Sequence, residues 1–149
     1  MTNFDQLRLE NQLCHVIYSA SNALARFYKP HLEKLDLTYP QYLVMLALWE
    51  EEGVNIHSIS KLTFFDSGSL TPLIQKLKQK EFIEINPDPQ DRRKKIIRLT
   101  KRGQQLKRKA TRIPEILSCV MPFKAQEIEQ FKSLVRSLHQ AIVQHENEG

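Results

Sequence analysis

FDSGSLTPLIQKLKQKEFI, residues 65–83, is the stretch on which the fold of this chain turns. On a helix, Leu70, Leu73, Ile74 and Leu77 fall on one face, at i, i+3, i+4 and i+7. The opposite face carries Gly68, Pro72, Gln75, Lys76 and Gln79. Amide and cationic side chains suit base edges and phosphates, and a glycine lets the backbone approach a ligand closely. A DNA-recognition helix has this profile, and so does any surface helix. What surrounds the stretch has to decide.

Just upstream, LTYPQY carries a strong helix-start signal. Thr38 and Gln41 form a capping box, Leu37 and Tyr42 can staple across it, and Pro40 sits in the first turn. The helix it starts, residues 39–52, is apolar on nearly all sides through Leu43, Val44, Met45, Leu46, Leu48 and Trp49, so it is expected to be buried. Gly53 should end it. Asn55 then caps a short helix with Ile56, Ile59 and Leu62 inward, and a turn over 63–66 leads into the opening stretch, whose helix starts between Asp66 and Ser69. Two short helices joined by a tight turn make a helix-turn-helix. Downstream, residues 82–86 and 95–99 read as a two-stranded ribbon closed by a turn over 87–92. It is rich in Arg92, Arg93, Lys94, Lys95 and Arg98. These elements together form a winged helix-turn-helix, whose wing could place an arginine in a minor groove.

The ends of the chain read as helices. Residues 6–29 carry Leu9, Leu13, Val16, Ile17, Ala20, Leu24 and Phe27 and should stop before Pro30, with a short helical piece at 31–35. Thr100 caps a helix running from Lys101 past Leu117 with a kink at Pro114, and a last helix over 124–144 carries Ile128, Phe131, Leu134, Val135, Leu138 and Ile142. Apolar stripes at both ends can pack on each other or on a second copy. A homodimer suits a DNA reader, because two-fold symmetry matches palindromic half-sites.

Composition sets the bounds. At 149 residues, one well-buried domain is expected, and 41% hydrophobic with 26% charged residues is ordinary for a globular protein. Only four glycines and few long β-branched runs argue for a mainly α chain, to which the ribbon adds a small β-wing. No apolar run approaches a membrane span, and the N-terminus lacks a signal-peptide profile, so a cytoplasmic location is expected, where structural disulfides are rare. The net charge of +5 is uneven: eleven Lys or Arg and no acid lie between Arg92 and Arg112. Such a block points equally to a polyanion partner or to a solvated basic face. The five histidines are scattered without zinc spacing, so neither a metal nor a cofactor is expected.

This order of elements resembles the MarR family of bacterial transcription regulators over nearly the whole chain. The wing motif carries most of the resemblance, as Asp91-x-Arg93 followed by Ile97-x-Leu99-Thr100-x-x-Gly103. It implies that Asp91 braces the wing and Arg93 reaches DNA. Three further stretches resemble the organic-hydroperoxide regulators (OhrR type). They are ENQLC at 10–14; Tyr28-Lys29-Pro30 with Thr38-Tyr39-Pro40-Gln41-Tyr42; and Asp66-Ser67-Gly68-Ser69-Leu70-Thr71-Pro72. The resemblance implies that Cys14 is a peroxide-reactive thiol, that Tyr28 and Tyr39 hydrogen-bond to it when reduced, and that Cys119, as in two-cysteine relatives, resolves the oxidised thiol. One departure is Glu81, where relatives commonly have glycine.

The implied fold is a single MarR-type domain over 1–149. Dimerisation helices lie at 1–35 and 105–149, and the winged helix-turn-helix at 39–104, with its recognition helix about 66–80 and its wing about 83–99. The implied function is a repressor on a palindromic double-stranded operator, released when an organic hydroperoxide oxidises Cys14. Gly68, Thr71, Gln75 and Lys76 should face the major groove, Ser67 and Ser69 the phosphates, and Asp91, Arg92, Arg93 and Lys94 form the wing contact. If the first helix is continuous, Tyr28 lies roughly 21 Å along its axis from Cys14. The tyrosine contact must then come from a partner subunit, and by the same logic the Cys14–Cys119 disulfide should join two subunits. Two other readings stay open: a MarR-type regulator gated by a small aromatic ligand, and a thiol peroxidase turning over on the two cysteines. The second lacks any CxxC or thioredoxin-like pattern.

Overall fold

The computed structural model describes residues 4–149. It contains seven α-helices and one two-stranded sheet among those residues, after two 3-10 turns at Asp5–Leu7 and Leu9–Asn11. In chain order these are α1 (Leu13–Glu33), α2 (Tyr39–Glu50), α3 (Ile56–Thr63), α4 (Ser67–Gln79), β1 (Ile83–Pro87), β2 (Lys95–Leu99), α5 (Lys101–Ala110), α6 (Arg112–Val120) and α7 (Ala125–Glu148). The fold is that of a MarR-type winged helix. No helix among the described residues is long and apolar enough to cross a membrane.

The chain divides into two compact units, Met1–Ile113 and Pro114–Gly149. In the first, α2 is the hub, with Val44, Met45 and Leu48 fully buried together with Leu32 of α1, Ile59 of α3, and Leu70 and Leu77 of α4. The capping box expected at Thr38 and Gln41 is formed: Gln41 N–H donates to Thr38 Oγ1 and Thr38 N–H to Gln41 Oε1 (3.1 Å). The strands pair antiparallel with Ile83 opposite Leu99 and Ile85 opposite Ile97. Ile97 N–H also donates to Val54 O (2.8 Å), which ties the wing to the α2–α3 loop. Gly103 explains the glycine of the wing motif, because a Cβ there would collide with the Phe82 carbonyl oxygen. The Gly103 carbonyl accepts from Trp49 Nε1 (3.0 Å). In the second unit, α7 buries no residue completely, and Phe131, Leu134 and Ile142 of its apolar stripe are exposed.

Several expectations need correction. The first helix does not run over 6–29. Two 3-10 turns precede it, α1 starts at Leu13, and it continues through Pro30 to Glu33, absorbing the separate piece expected at 31–35. Proline removes one intrahelical hydrogen bond, but only a single turn follows it, and that turn is anchored by the fully buried Leu32. The helix after the wing is interrupted at one residue ahead of Pro114, Thr111, which keeps helical φ −56° and ψ −28°. A turn at Thr111 separates α5 from α6, because Pro114 has no N–H for the Ala110 carbonyl and its ring crowds that oxygen. Helix α2 stops at Glu50, before Gly53, whose positive φ of 75° turns the chain. Leu46 and Leu62, expected inward, are exposed, and Trp49 is half-buried. The first strand runs one residue later than expected, over Ile83–Pro87.

Glu81 occupies the glycine position without changing how the helix ends. Phe82 N–H bonds Leu77 O (3.1 Å) and Glu81 N–H bonds Lys78 O (2.9 Å), the paired bonds of a Schellman cap with Glu81 at the left-handed position, φ 60°. The end of α1 repeats the device. Leu37 N–H bonds Leu32 O (3.0 Å), Asp36 N–H bonds Glu33 O (3.0 Å), and Asp36 has φ 57°.

Candidate nucleic-acid interface and thiol site

Helix α4 is started by Asp66, whose carboxylate accepts from Ser69 N–H (2.8 Å) and Ser69 Oγ–H (2.7 Å). These hydrogen bonds hold the Asp66 carboxyl below its usual range, the Ser69 hydroxyl first. The apolar face is buried at Leu70, Ile74 and Leu77, and Leu73 is half-buried. Ser67, Gly68, Ser69, Thr71, Pro72, Gln75, Lys76 and Gln79 are all exposed. Thr71 Oγ–H donates back to Ser67 O (2.9 Å), so its hydroxyl oxygen is left to accept from outside.

The wing tip is built on local hydrogen bonds. Asp91 Oδ1 accepts from Arg93 N–H and from Arg93 Nε–H, both 3.1 Å, and the Arg93 side chain beside it keeps the carboxyl low. Asp88 N–H donates to Lys94 O (2.8 Å) and Lys94 N–H to Asp91 O (2.9 Å), closing the loop. The brace is half-buried while the Arg93 side chain is 92% exposed, and Arg92, Lys94 and Lys95 are exposed as well.

Folding brings the two halves of this surface together. Between α3, α4 and the wing lies a cavity of about 450 Å³ lined by Asn55, Ile56, His57, Thr71, Ile74, Gln75, Ile85, Arg93, Lys94, Lys95 and Ile97. Thr71 and Gln75 from α4 therefore share one concave face with Arg93 and Lys94 from the wing. The inclusion of His57 was missed by sequence reasoning. It sits beside the Asn55 cap, and only the packing of α3 against the wing turns it into this groove.

Cys14 is the second residue of α1 and is exposed; Cys119 is the second-last of α6 and is also exposed; neither is in a disulfide. The break before Leu13 puts Cys14 in a first helical turn, where backbone N–H groups lack intrahelical partners and face outward along the axis. At the far end of the same helix, Tyr28 is buried and stacks on Tyr39 (centroids 5.6 Å apart, planes 14° apart). Tyr42 completes the cluster at 6.1 Å from Tyr28, a member that its reading as a helix staple had not revealed. Burial pushes the phenols of Tyr28 and Tyr39 up, and that of Tyr42 up to about 12, so the three rings stay neutral. Beside Tyr39, a cavity of about 200 Å³ is lined by Ala25, Lys29, Glu33, Leu37, Thr38 and Tyr39. Because α1 is unbroken from Leu13 to Glu33, Cys14 and Tyr28 of one chain stand roughly 21 Å apart along the helix. On the apolar stripe of α1, Val16 and Ile17 are exposed and Phe27 is half-buried.

Known proteins match this chain along most of its length. The family described as transcriptional regulator SarA/Rot matches residues 26–110. The organic hydroperoxide resistance transcriptional regulator of Bacillus subtilis (strain 168) is 38% identical over 141 residues, spanning 92% of this chain and 96% of its own length. Among solved structures, reduced AbfR bound to DNA is 34% identical, with 97% of this chain and 98% of that chain covered at a TM-score of 0.80. AbfR from Staphylococcus epidermidis is also known with its disulfide formed. That structure is 35% identical and covers 90% of this chain and 94% of its own, at a TM-score of 0.63.

Proposed function

This chain belongs to the SarA/Rot family of transcriptional regulators, with the MarR-type fold and a likeness to the organic-hydroperoxide regulators, and from that premise we propose that it is a homodimeric, peroxide-released repressor. Its site is the cytoplasm, where both thiols stay reduced until peroxide arrives. Two copies of α4 enter successive major grooves of a palindromic operator, roughly 34 Å apart. Gly68, Thr71, Gln75 and Lys76 face base edges, and Ser67 and Ser69 lie near phosphates. Arg93, braced by Asp91, enters the minor groove, with Arg92 and Lys94 on the flanking backbone.

The observation that carries this function is the pairing of an exposed Cys14 at the start of α1 with the stacked, neutral Tyr28–Tyr39 pair at its end. The Tyr28 hydroxyl can reach a Cys14 sulfur only from a second subunit, and the exposed apolar stripe of α7 supports that pairing of chains. The Cys14 thiolate attacks one oxygen of the hydroperoxide. An S–O bond forms as the O–O bond breaks, sulfur gives up two electrons, and the alkoxide leaves as the alcohol after gaining a proton. Cys119 of the partner subunit then attacks the sulfenic sulfur, and water is released as the disulfide forms. Two thiols and one peroxide thus yield one disulfide, one alcohol and one water. The disulfide moves the recognition helices out of register with the half-sites. The chain consumes peroxide once per thiol pair and is a sensor, not an enzyme.

The test is operator binding of wild type, Cys14→Ser and Cys119→Ser during titration with hydrogen peroxide and an organic hydroperoxide. Wild type should dissociate and Cys14→Ser should stay bound. Non-reducing gels should show a covalent dimer that Cys119→Ser cannot form. Wild type that stays on DNA after Cys14 is oxidised refutes the mechanism, and dissociation of Cys14→Ser by a small aromatic acid would point to ligand gating instead.

A further inference from the structure

Lys80 follows the last residue of the recognition helix, and its ammonium is enclosed by another part of the fold. Its Nζ donates to the Asp36 backbone oxygen (2.6 Å) and to Gln41 Oε1 (3.0 Å), and lies 3.2 Å from Asp36 Oδ1. A lysine ammonium has three donors, and the α1–α2 loop with the first turn of α2 meets all three. The Lys80 side chain is 22% exposed while the Asp36 side chain is 64% exposed, so the ammonium is partly desolvated although its carboxylate partner faces solvent. Both ends of the contact are rigid. Lys80 N–H still bonds Lys76 O in the final turn of α4, and Asp36 holds the left-handed position of the α1 cap. Gln41 Oε1 is already the acceptor of the α2 capping box, so one oxygen serves both the start of α2 and the end of α4.

The same first turn of α2 carries Tyr39 and Tyr42, which pack on Tyr28. We propose that Lys80 is a positioning residue that makes the recognition helix follow the tyrosine pocket. It clamps the end of α4 to the Asp36–Gln41 loop, so that displacement of Tyr28 and Tyr39 on Cys14 oxidation shifts α4 with α2. This inference rests on the redox function proposed above and names the contact that transmits it. Two rigid elements joined by a fully used ammonium can carry a shift that neither the peroxide nor the DNA touches directly.

The experiment compares operator affinity in the reduced and peroxide-oxidised states for wild type, Lys80→Met and Asp36→Gly, with Cys14 oxidation followed by mass spectrometry. Methionine keeps an unbranched stem of similar length without donors, and glycine suits the left-handed backbone at position 36 while removing the carboxylate. Reduced Lys80→Met should bind the operator as wild type does and oxidise at the same rate. Its loss of affinity on oxidation should shrink by about tenfold or more, a typical size for coupling between sites. Asp36→Gly should narrow the ratio in the same direction and answers the question if Lys80→Met fails to fold. An unchanged reduced-to-oxidised ratio in a folded variant, with wild type releasing normally, overturns the role of Lys80 alone. Wild type that does not release overturns the redox function and this inference with it.

Discussion

Replacing Glu81 separates backbone strain from side-chain charge at the junction of recognition helix and wing. Glu81 has φ 60°, a region that disfavours a Cβ by about 1 kcal/mol. Its carboxylate meets Arg102 Nη1 at 3.4 Å with both side chains largely exposed, an ion pair worth about 0–1 kcal/mol. Its backbone oxygen accepts from Thr100 Oγ–H (2.6 Å), a bond any residue there would keep. Glu81→Ala loses the ion pair and keeps the Cβ, so it should be slightly less stable than wild type. Glu81→Gly loses the ion pair and relieves the Cβ, so it should exceed Glu81→Ala by about 1 kcal/mol and wild type by about 0.5 kcal/mol. For a chain of this length, that puts the melting temperature of Glu81→Gly about 2–4 °C above Glu81→Ala. Differential scanning calorimetry on the reduced protein measures it. Equal melting temperatures for the two variants would refute a strained left-handed cap and assign the whole effect to charge.

Two further predictions bear on the DNA face and the tyrosine cluster. Arg93→Ala removes one cation from each copy of the wing, so log K against log salt should become shallower by about 1.8 for the dimer, at about 0.9 per lost contact. Affinity should fall on operator and random DNA alike, and an unchanged slope in fluorescence anisotropy would remove Arg93 from the interface. Tyr42 stands raised from 10.0 to about 12 by burial first and by Tyr28 and Tyr39 second. A raised phenol contributes stability that is complete below its unfolded value and lost as pH climbs through the folded one. The melting temperature should therefore drop across about pH 10 to 12, and Tyr42→Phe should flatten that drop; an equal drop in both proteins would place the alkaline sensitivity elsewhere.

What could be read in advance was whatever a few neighbouring residues decide. Thr38 with Gln41, Asn55 and Thr100 each cap the helix assigned to them, because a cap needs only a side-chain oxygen two or three residues before an N–H; the start of α4, open between Asp66 and Ser69, is fixed by the Asp66 cap. The buried stripe of α4 and the pairing of β1 with β2 were equally local. Helix continuity was not. Pro30 and Pro114 are the same residue type with different outcomes, α1 running through the first and the helix being interrupted at Thr111 ahead of the second. Burial does not separate them, since Pro30 lies between buried Tyr28 and Leu32 and Thr111 between buried Ala110 and Ile113. What differs is the place in the helical run: one turn of α1 follows Pro30, whereas Pro114 falls inside the run from Lys101 to Val120. Leu46 and Leu62 failed for a tertiary reason, since an apolar residue is buried only where another element arrives to cover it.

The candidate site divides along the same line. The exposure of Ser67, Gly68, Ser69, Thr71, Gln75 and Lys76 and the Asp91–Arg93 brace follow from short motifs, each within one local stretch. Their convergence around one groove, and the inclusion of His57, depend on the Val54–Ile97 bond that swings the wing against α3. Tyr42 and Lys80 carried no sequence signal for the positions they take, one joining the Tyr28–Tyr39 stack and the other fastening α4 to the loop below it. The residues that would meet DNA and peroxide are thus encoded in short motifs. Those that would connect the two events are encoded only in the packing, so substitutions at Lys80 and Asp36 test the connection without altering any residue assigned to DNA or to peroxide.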